Sequence, residues 1–281
     1  MRIAVTGATG FIGRALCARL GGEHDVRAVV REQTGDLARF RDWPSVLGGM
    51  DAIVHLAAYA HGRGDAASLH AVNVDATIAA AEAAHASGAH FIFVSSIKVH
   101  GEQSTTPLRE NSPLAPSDPY ARSKAQAEEA LRALPGLRLT VLRPPLVYGE
   151  GVKANFLALM RAIARGLPLP LASIDNRRSV VYVGNLVDAI ARCVSDARSV
   201  GRTYLVADDE APSTPALCRA IGTALERSAR LFPFPPAWLP LKQLTSSLEA
   251  DASAIRAELG LQPPFTLQEG LRATARWYRG R

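Results

Sequence analysis

Within the first twenty residues an apolar run, Ile3 to Thr6, breaks into the glycine series Gly7, Gly10 and Gly13, and a helical pattern follows from Phe11 to Leu20. A strand that turns straight into a helix through three glycines leaves few folds open. The turn tolerates backbone conformations that side chains resist, and without Cβ atoms an anionic group can approach the N–H groups at the helix N-terminus. The first half repeats the theme. Strands are predicted at Val26 to Val30, Asp51 to Leu56, His90 to Ser95 and Arg138 to Leu142, with helices from about Ala66 to Ala86 and from Tyr120 to Leu134. Strands alternating with helices imply a parallel sheet covered on both faces.

The expected class is α/β: a Rossmann-type doubly wound parallel sheet with a smaller, mainly helical C-terminal substrate lobe. Only about twenty residues lie between Arg31 and Asp51, so a third strand near Gly35 to Leu37 must be very short or absent. After Pro144 the rhythm changes: Asn155 to Arg165 and Asn185 to Ser195 read as helices, Val180 to Val183 and Thr203 to Val206 as strands. Residues 1–145 are therefore assigned to a dinucleotide-binding domain whose sheet is completed by about 180–206, and residues 146–179 and 207–281 to the substrate lobe. The proline-rich LFPFPPAWLPL from Leu231 to Leu241 could be a membrane-surface anchor. Its prolines break any long amphipathic helix, which favours a lobe packed over the cleft.

The 281-residue chain carries a net charge of +6, but its arginines are scattered and no basic run interleaves with aromatics, which argues against nucleic acid as a partner. Three separated cysteines, Cys17, Cys193 and Cys218, suggest a reducing cytoplasm and no disulfide framework. MRIAVTG runs directly into the glycine loop, leaving no room for a secretory leader, and no apolar run approaches the roughly 18 residues of a spanning helix. The seven histidines show no metal-ligand spacing, so no metal is expected. Lysine is rare, occurring only at Lys98, Lys124, Lys153 and Lys242, which makes a Lys four residues after a Tyr unlikely to be accidental.

That pair is Tyr120 and Lys124, and with a strand-end serine it implies nicotinamide-dependent chemistry on a carbinol or ketone. A phenol is a poor acid–base near neutrality, and an ammonium one helical turn away is expected to lower its pKa toward working pH. Ser96 or its neighbour Ser95 would hold the substrate oxygen, since adjacent strand residues face opposite ways and only one reaches the cleft. Val30-Arg31 stands where an NAD-selective site places an acid, so NADP(H) is favoured over NAD(H), with Arg14 as a second contact to the 2′-phosphate. His55 reads as a packed residue rather than a general base.

TGATGFIG, DAIVHLAA, Asn73 in NVDAT, SSIKVHGE, DPYARSK, LRPPLVYGEG and RRSVVYVGNLVDAI together resemble the extended short-chain dehydrogenase/reductases of the NAD-dependent epimerase/dehydratase group. The resemblance implies Ser96, Tyr120 and Lys124 as the catalytic set. It implies cofactor contacts from the loop (Gly7, Thr9, Gly10, Phe11, Ile12, Gly13, Arg14), from Arg31, Asp36 and Leu37, from Leu56, Ala57, Ala58 and Asn73, and from Tyr120, Lys124, Pro144 and Val147. For the substrate it implies Ser96, Ile97 and Lys98, Tyr148 in the wall of the nicotinamide pocket, and Asn155 and Arg178 on a nucleotide diphosphate. SSIKVHGE, GVKANFLALM and LPLPLASIDNRRSVVYVGNLVDAI are most similar to bacterial 4-ketoreductases that form UDP-N-acetylquinovosamine for surface polysaccharide. Two departures stand out: the segment after Arg31 is short, and His100 replaces the Tyr that epimerases carry in VYG. Ile97-Lys98 after Ser96 supply no Asp-Glu pair of the 4,6-dehydratase kind.

The leading expectation is C4 keto reduction of a UDP-2-acetamido-2,6-dideoxy-4-keto-hexose by NAD(P)H, in a cytoplasmic homodimer. A UDP-sugar 4-epimerase with tightly bound NAD would use the same residues. A non-catalytic NADP-binding redox sensor would have no need of Ser96, Tyr120 and Lys124 together.

Overall fold

The computed structural model describes residues 1–59, 65–239 and 242–280. Its first half runs β1 (Arg2–Thr6), α1 (Phe11–Leu20), β2 (Asp25–Val29), α2 (Arg31–Thr34), α3 (Trp43–Leu47), β3 (Ala52–His55), α4 (Ala66–His70), α5 (Ala76–Ala86), β4 (His90–Val94), α6 (Pro119–Arg132) and β5 (Leu139–Arg143). Then come β6 (Leu146–Tyr148), α7 (Ala154–Ala164), β7 (Val180–Tyr182), α8 (Val183–Ser195), β8 (Thr203–Leu205), α9 (Thr214–Ala224), α10 (Lys242–Thr245), α11 (Ser253–Leu259) and α12 (Leu267–Arg279).

Six strands form one parallel sheet in the order β2-β1-β3-β4-β5-β8. Strand periodicity divides the core. Ile3 and Val5 point to the face covered by α1 and α8, where the core continues into the C-terminal lobe through Phe156, Leu186 and Leu271; Ala4 points to the opposite face, with Trp43, Ala80 and Leu131 from α3, α5 and α6. Parallel strands buried on both faces explain why β3, β4 and β5 are mostly apolar along their length rather than alternating.

One open expectation is settled and two change. No strand forms near Gly35 to Leu37: α2 ends at Gly35, whose φ of 61° turns the chain, and Leu37 packs with Phe40 against Trp43 and Leu47. β2 is consequently the edge of the sheet, with no strand on its outer side among the described residues. Of the 180–206 stretch assigned to the main sheet, only Thr203–Leu205 joins it, because Val180–Tyr182 pairs with β6 in a separate two-stranded sheet. The helix expected from about Ala66 to Ala86 is α4 and α5 joined by a π-turn, Ala71–Asp75. Asn73 sits in that turn, buried and tied to the Tyr59 backbone and the Ser123 hydroxyl, so one residue is drawn out of α-helical register. Of the proline-rich segment, Pro240 and Leu241 lie outside the described residues.

Two histidines are sealed into the sheet. His55 lies between Thr6 and Thr77, Nδ1 at 3.0 Å from the first hydroxyl and Nε2 at 3.1 Å from the second, against the rings of Phe91 and Phe93. His90 Nε2 is 2.8 Å from the Thr140 hydroxyl. Burial lowers them to about 3 and about 4 respectively, with the charges of Lys124 and Arg138 adding to the effect. Both therefore stay neutral in the folded chain while the unfolded chain takes up protons below its ordinary value of about 6.5. Stability should be fully present above that pH and decline as pH falls toward 4, by on the order of 1.4 kcal/mol per pH unit for each histidine. Denaturant unfolding at pH 7.5, 6 and 5 checks this, and His90→Gln should flatten the slope; an unfolding free energy constant across the range contradicts it.

Candidate active site

The glycine loop between β1 and α1 is packed too tightly for side chains. Gly7 has φ +67°, and a Cβ there would lie 2.9 Å from the Ala57 nitrogen. A Cβ on Gly13 would meet the Gly7 carbonyl oxygen at 2.2 Å, so α1 rests directly on the turn. Gly10 donates its N–H to Gly7 at 2.9 Å and caps α1, with Thr9 and Gly10 exposed above it and Phe11 and Ile12 half-buried. Leu56 and Ala57 bound the other side, their N–H groups donating to the Thr6 hydroxyl at 3.2 Å, and Ala58 follows. This cradle of backbone at a helix N-terminus, open because no Cβ fills it, fits the pyrophosphate of a dinucleotide.

Around the cradle the expected contacts divide. Arg31 and Arg14 are exposed, and Arg14 donates to the Thr9 carbonyl at 3.0 Å. Asp36 accepts from the Ala38 N–H at 3.2 Å, while Leu37 turns into the packed face. Asn73 is corrected from a cofactor contact to a strut: its oxygen accepts from the Tyr59 N–H at 2.7 Å, and its amide donates to the Tyr59 carbonyl and to Ser123. Pro144 is buried, its carbonyl accepting from the Ile97 N–H at 2.9 Å, and Val147 is half-buried in β6.

Tyr120 stands in the first turn of α6, a helix begun by Asp118, which accepts from the Ala121 N–H at 2.7 Å. Lys124, one turn on, donates from Nζ to the Val94 carbonyl at 2.9 Å and lies 4.5 Å from the centre of the Phe93 ring. Another turn on, Glu128 is held bidentately by Arg143 from β5, which also donates to His100 and to the Glu110 carbonyl. Ser96 leaves β4 in extended conformation and its hydroxyl accepts from the Lys98 N–H at 3.2 Å. Burial works against the Glu128 carboxylate, yet Arg143 keeps it below its usual pKa, while the Ser95 hydroxyl is buried with no hydrogen-bond partner among the described residues.

The expected acidification of the phenol is not found. Burial, reinforced by the charge of Asp118, pushes Tyr120 up to about 12, and burial lowers Lys124 to about 8 against the pull of Glu128. The lysine is anchored on the sheet carbonyl, while the capping carboxylate, overlooked in the sequence, acts on the tyrosine from the other side. An Asp directly before a Pro at a helix start was the available signal.

Lys98 pairs with both Asp118 and Glu102, and Glu102 in turn supports the charge on Arg178, whose pKa burial lowers and whose Nη1 donates to the Ser246 carbonyl at 2.9 Å. A chain of alternating charges thus runs from beside Tyr120 to the C-terminal lobe. Lys98 and Arg178 lie along it, and Ser96 accepts the Lys98 N–H. The other three expected substrate residues do not: Ile97 is buried with Leu205 and Leu248, and Asn155 is exposed in the first turn of α7. Tyr148 is corrected from pocket wall to core, since it is 0 % exposed, stacks on Phe156 and donates to Asp208 at 3.1 Å.

Because Gly13 has no room for even one methyl group, Gly13→Ala should distort the cradle. The expected result is loss of NADPH-induced thermal protection together with a destabilisation of about 1–3 kcal/mol. Unchanged protection would contradict the assignment of the loop.

Residues 3–207 match the NAD dependent epimerase/dehydratase family. The UDP-glucose 4-epimerase of Vibrio cholerae is 36% identical over 309 residues, covering 97% of this chain and 94% of that protein. A dTDP-4-dehydrorhamnose reductase of Mycobacterium tuberculosis is 30% identical over 272 residues, covering 93% and 88%. Among solved structures, RMD from Pseudomonas aeruginosa complexed with NADPH superposes with a TM-score of 0.81 at 25% identity, covering 100% of this chain and 99% of that one. With the Rossmann-like sheet and glycine cradle in place, the chain belongs to the NAD dependent epimerase/dehydratase family and is an oxidoreductase-type enzyme.

Proposed function

We propose that the protein reduces the C4 keto group of a UDP-activated 2-acetamido-2,6-dideoxy-4-keto-hexose, giving a sugar of the UDP-N-acetylquinovosamine type for surface polysaccharide, with NADPH as reductant. The observation that carries this reading is the bare edge of the sheet at β2. The adenosine half of a dinucleotide lies over this side of a doubly wound sheet, and beyond β2 no strand flanks it among the described residues. A net reductase must release oxidised cofactor after each turnover, whereas an epimerase must retain it through a transient reduced state. An open adenosine side suits exchange, and the exposed Arg31 and Arg14 suit a 2′-phosphate.

When bound, the nicotinamide would supply the hydride that goes to C4. The chain's own residues do the rest. With its pKa at about 12, Tyr120 is protonated at neutral pH, the form that gives a proton to a carbonyl oxygen. The Ser96 hydroxyl holds that oxygen, Lys124 braces α6 through the Val94 carbonyl, and Arg178 faces the diphosphate. The same reading has the enzyme working in the cytoplasm as a homodimer. Among the described residues no helix is long and apolar enough to cross a membrane.

The Vibrio cholerae relative favours a second reading, UDP-sugar 4-epimerisation with retained NAD. A panel of UDP-4-keto sugars assayed by NADPH absorbance separates the two. The expected result is cofactor-free purified protein that consumes NADPH with one keto sugar. Purified protein that carries NAD and interconverts UDP-hexoses without consuming NADPH would overturn the reductase.

Tyr120→Phe should lower turnover by about 10²–10⁴-fold while NADPH binding persists. Comparable turnover in that variant would remove the tyrosine from the chemistry.

A further inference from the structure

One end of the C-terminal lobe exposes aromatic and aliphatic side chains beside arginines that form no ion pair among the described residues. There α7 and α9 pack together and end at Ala164 and Ala224, and the chain segments after them run side by side. Leu169 donates its N–H to the Arg230 carbonyl, Phe232 to that of Leu169, and Ala172 to that of Phe232, all within 3.1 Å. The two segments therefore form one surface. On it Leu167 is 48% exposed, Phe232 41% and Trp238 76%, the last being the most exposed large apolar residue among those described. Trp238 is not loose: it meets the Phe234 ring edge to face, centroids 6.2 Å apart, and follows a proline-framed turn. Arg165, Arg227 and Arg230 are exposed on the same segments, and none forms an ion pair among the described residues. The nearby Glu226 is already paired with Arg279.

We infer that this surface docks on an anionic lipid bilayer, with Trp238, Phe232 and Leu167 entering the headgroup boundary and Arg165, Arg227 and Arg230 meeting lipid phosphates. Exposed tryptophan, phenylalanine and leucine on the same two segments as three exposed arginines supply the apolar and cationic groups that a membrane interface takes up. The prolines exclude a long amphipathic helix, so the contact is a rigid loop surface. The inference is independent of the reaction proposed above.

The test is cosedimentation of the full chain, at low salt, with vesicles of phosphatidylglycerol and phosphatidylethanolamine, and separately with vesicles of phosphatidylcholine. The expected result is binding to the anionic vesicles alone, a blue shift of tryptophan emission that disappears in Trp238→Phe, and binding weakened more than about tenfold in Trp238→Ser and in Arg165→Glu/Arg230→Glu. All of these positions are exposed, so the variants should fold; Leu114→Ser, at an exposed site outside these segments, is the control and should bind as wild type. A chain left in the supernatant, equal binding to phosphatidylcholine, or binding undiminished in Trp238→Ser or in the double charge reversal overturns the inference.

Discussion

The seating of α6 on the sheet is the constraint from which the site follows. Tyr120, Lys124 and Glu128 lie one turn apart on its inward side. The last two are fixed from below, Lys124 by the Val94 carbonyl of β4 and Glu128 by the bidentate guanidinium of Arg143 at the end of β5. An unpaired charge in that position would be costly, so both contacts must form together for the helix to pack. Once they do, α6 packs against the turn Ile97–His100 that Ser96 begins at the end of β4.

Seen this way, the lysine acts first as an anchor. Its ammonium is committed to a backbone carbonyl and an aromatic face, and the groups that set the tyrosine's protonation are burial and the capping Asp118. Lys98 balances Asp118 and reaches Glu102, which lies by Arg178. Asp118 in the cap before Tyr120 and Arg178 in the C-terminal lobe are thus linked through the ion pairs of Lys98 and the charge of Glu102 rather than through the sheet.

Much of this architecture was legible in the sequence. The β-loop-α opening, the parallel strands and the class of sheet follow from the glycine spacing and from apolar runs buried on both faces. The short span between Arg31 and Asp51 foretold the missing strand, and with it the exposed edge at β2. What escaped detection depends on contacts distant in sequence. Asn73 reads as a site residue, but a loop fourteen residues earlier and a serine fifty residues later claim its amide. Tyr148 reads as a pocket aromatic, but Asp208, Phe156 and Tyr182 draw it into the lobe core. A strand such as β6, three residues long, carries too little periodicity to be distinguished from a loop.

The proposed reaction puts hydride on the sugar at C4 from a cofactor that comes and goes, with Tyr120 supplying the proton. Incubation of the enzyme with the UDP-4-keto sugar and NADPH deuterated at the nicotinamide C4 tests it most directly, by mass and proton spectra of the product. The account predicts one deuterium at sugar C4 and stoichiometric NADP⁺. Product that forms without deuterium, while bound NAD stays on the protein, would contradict it.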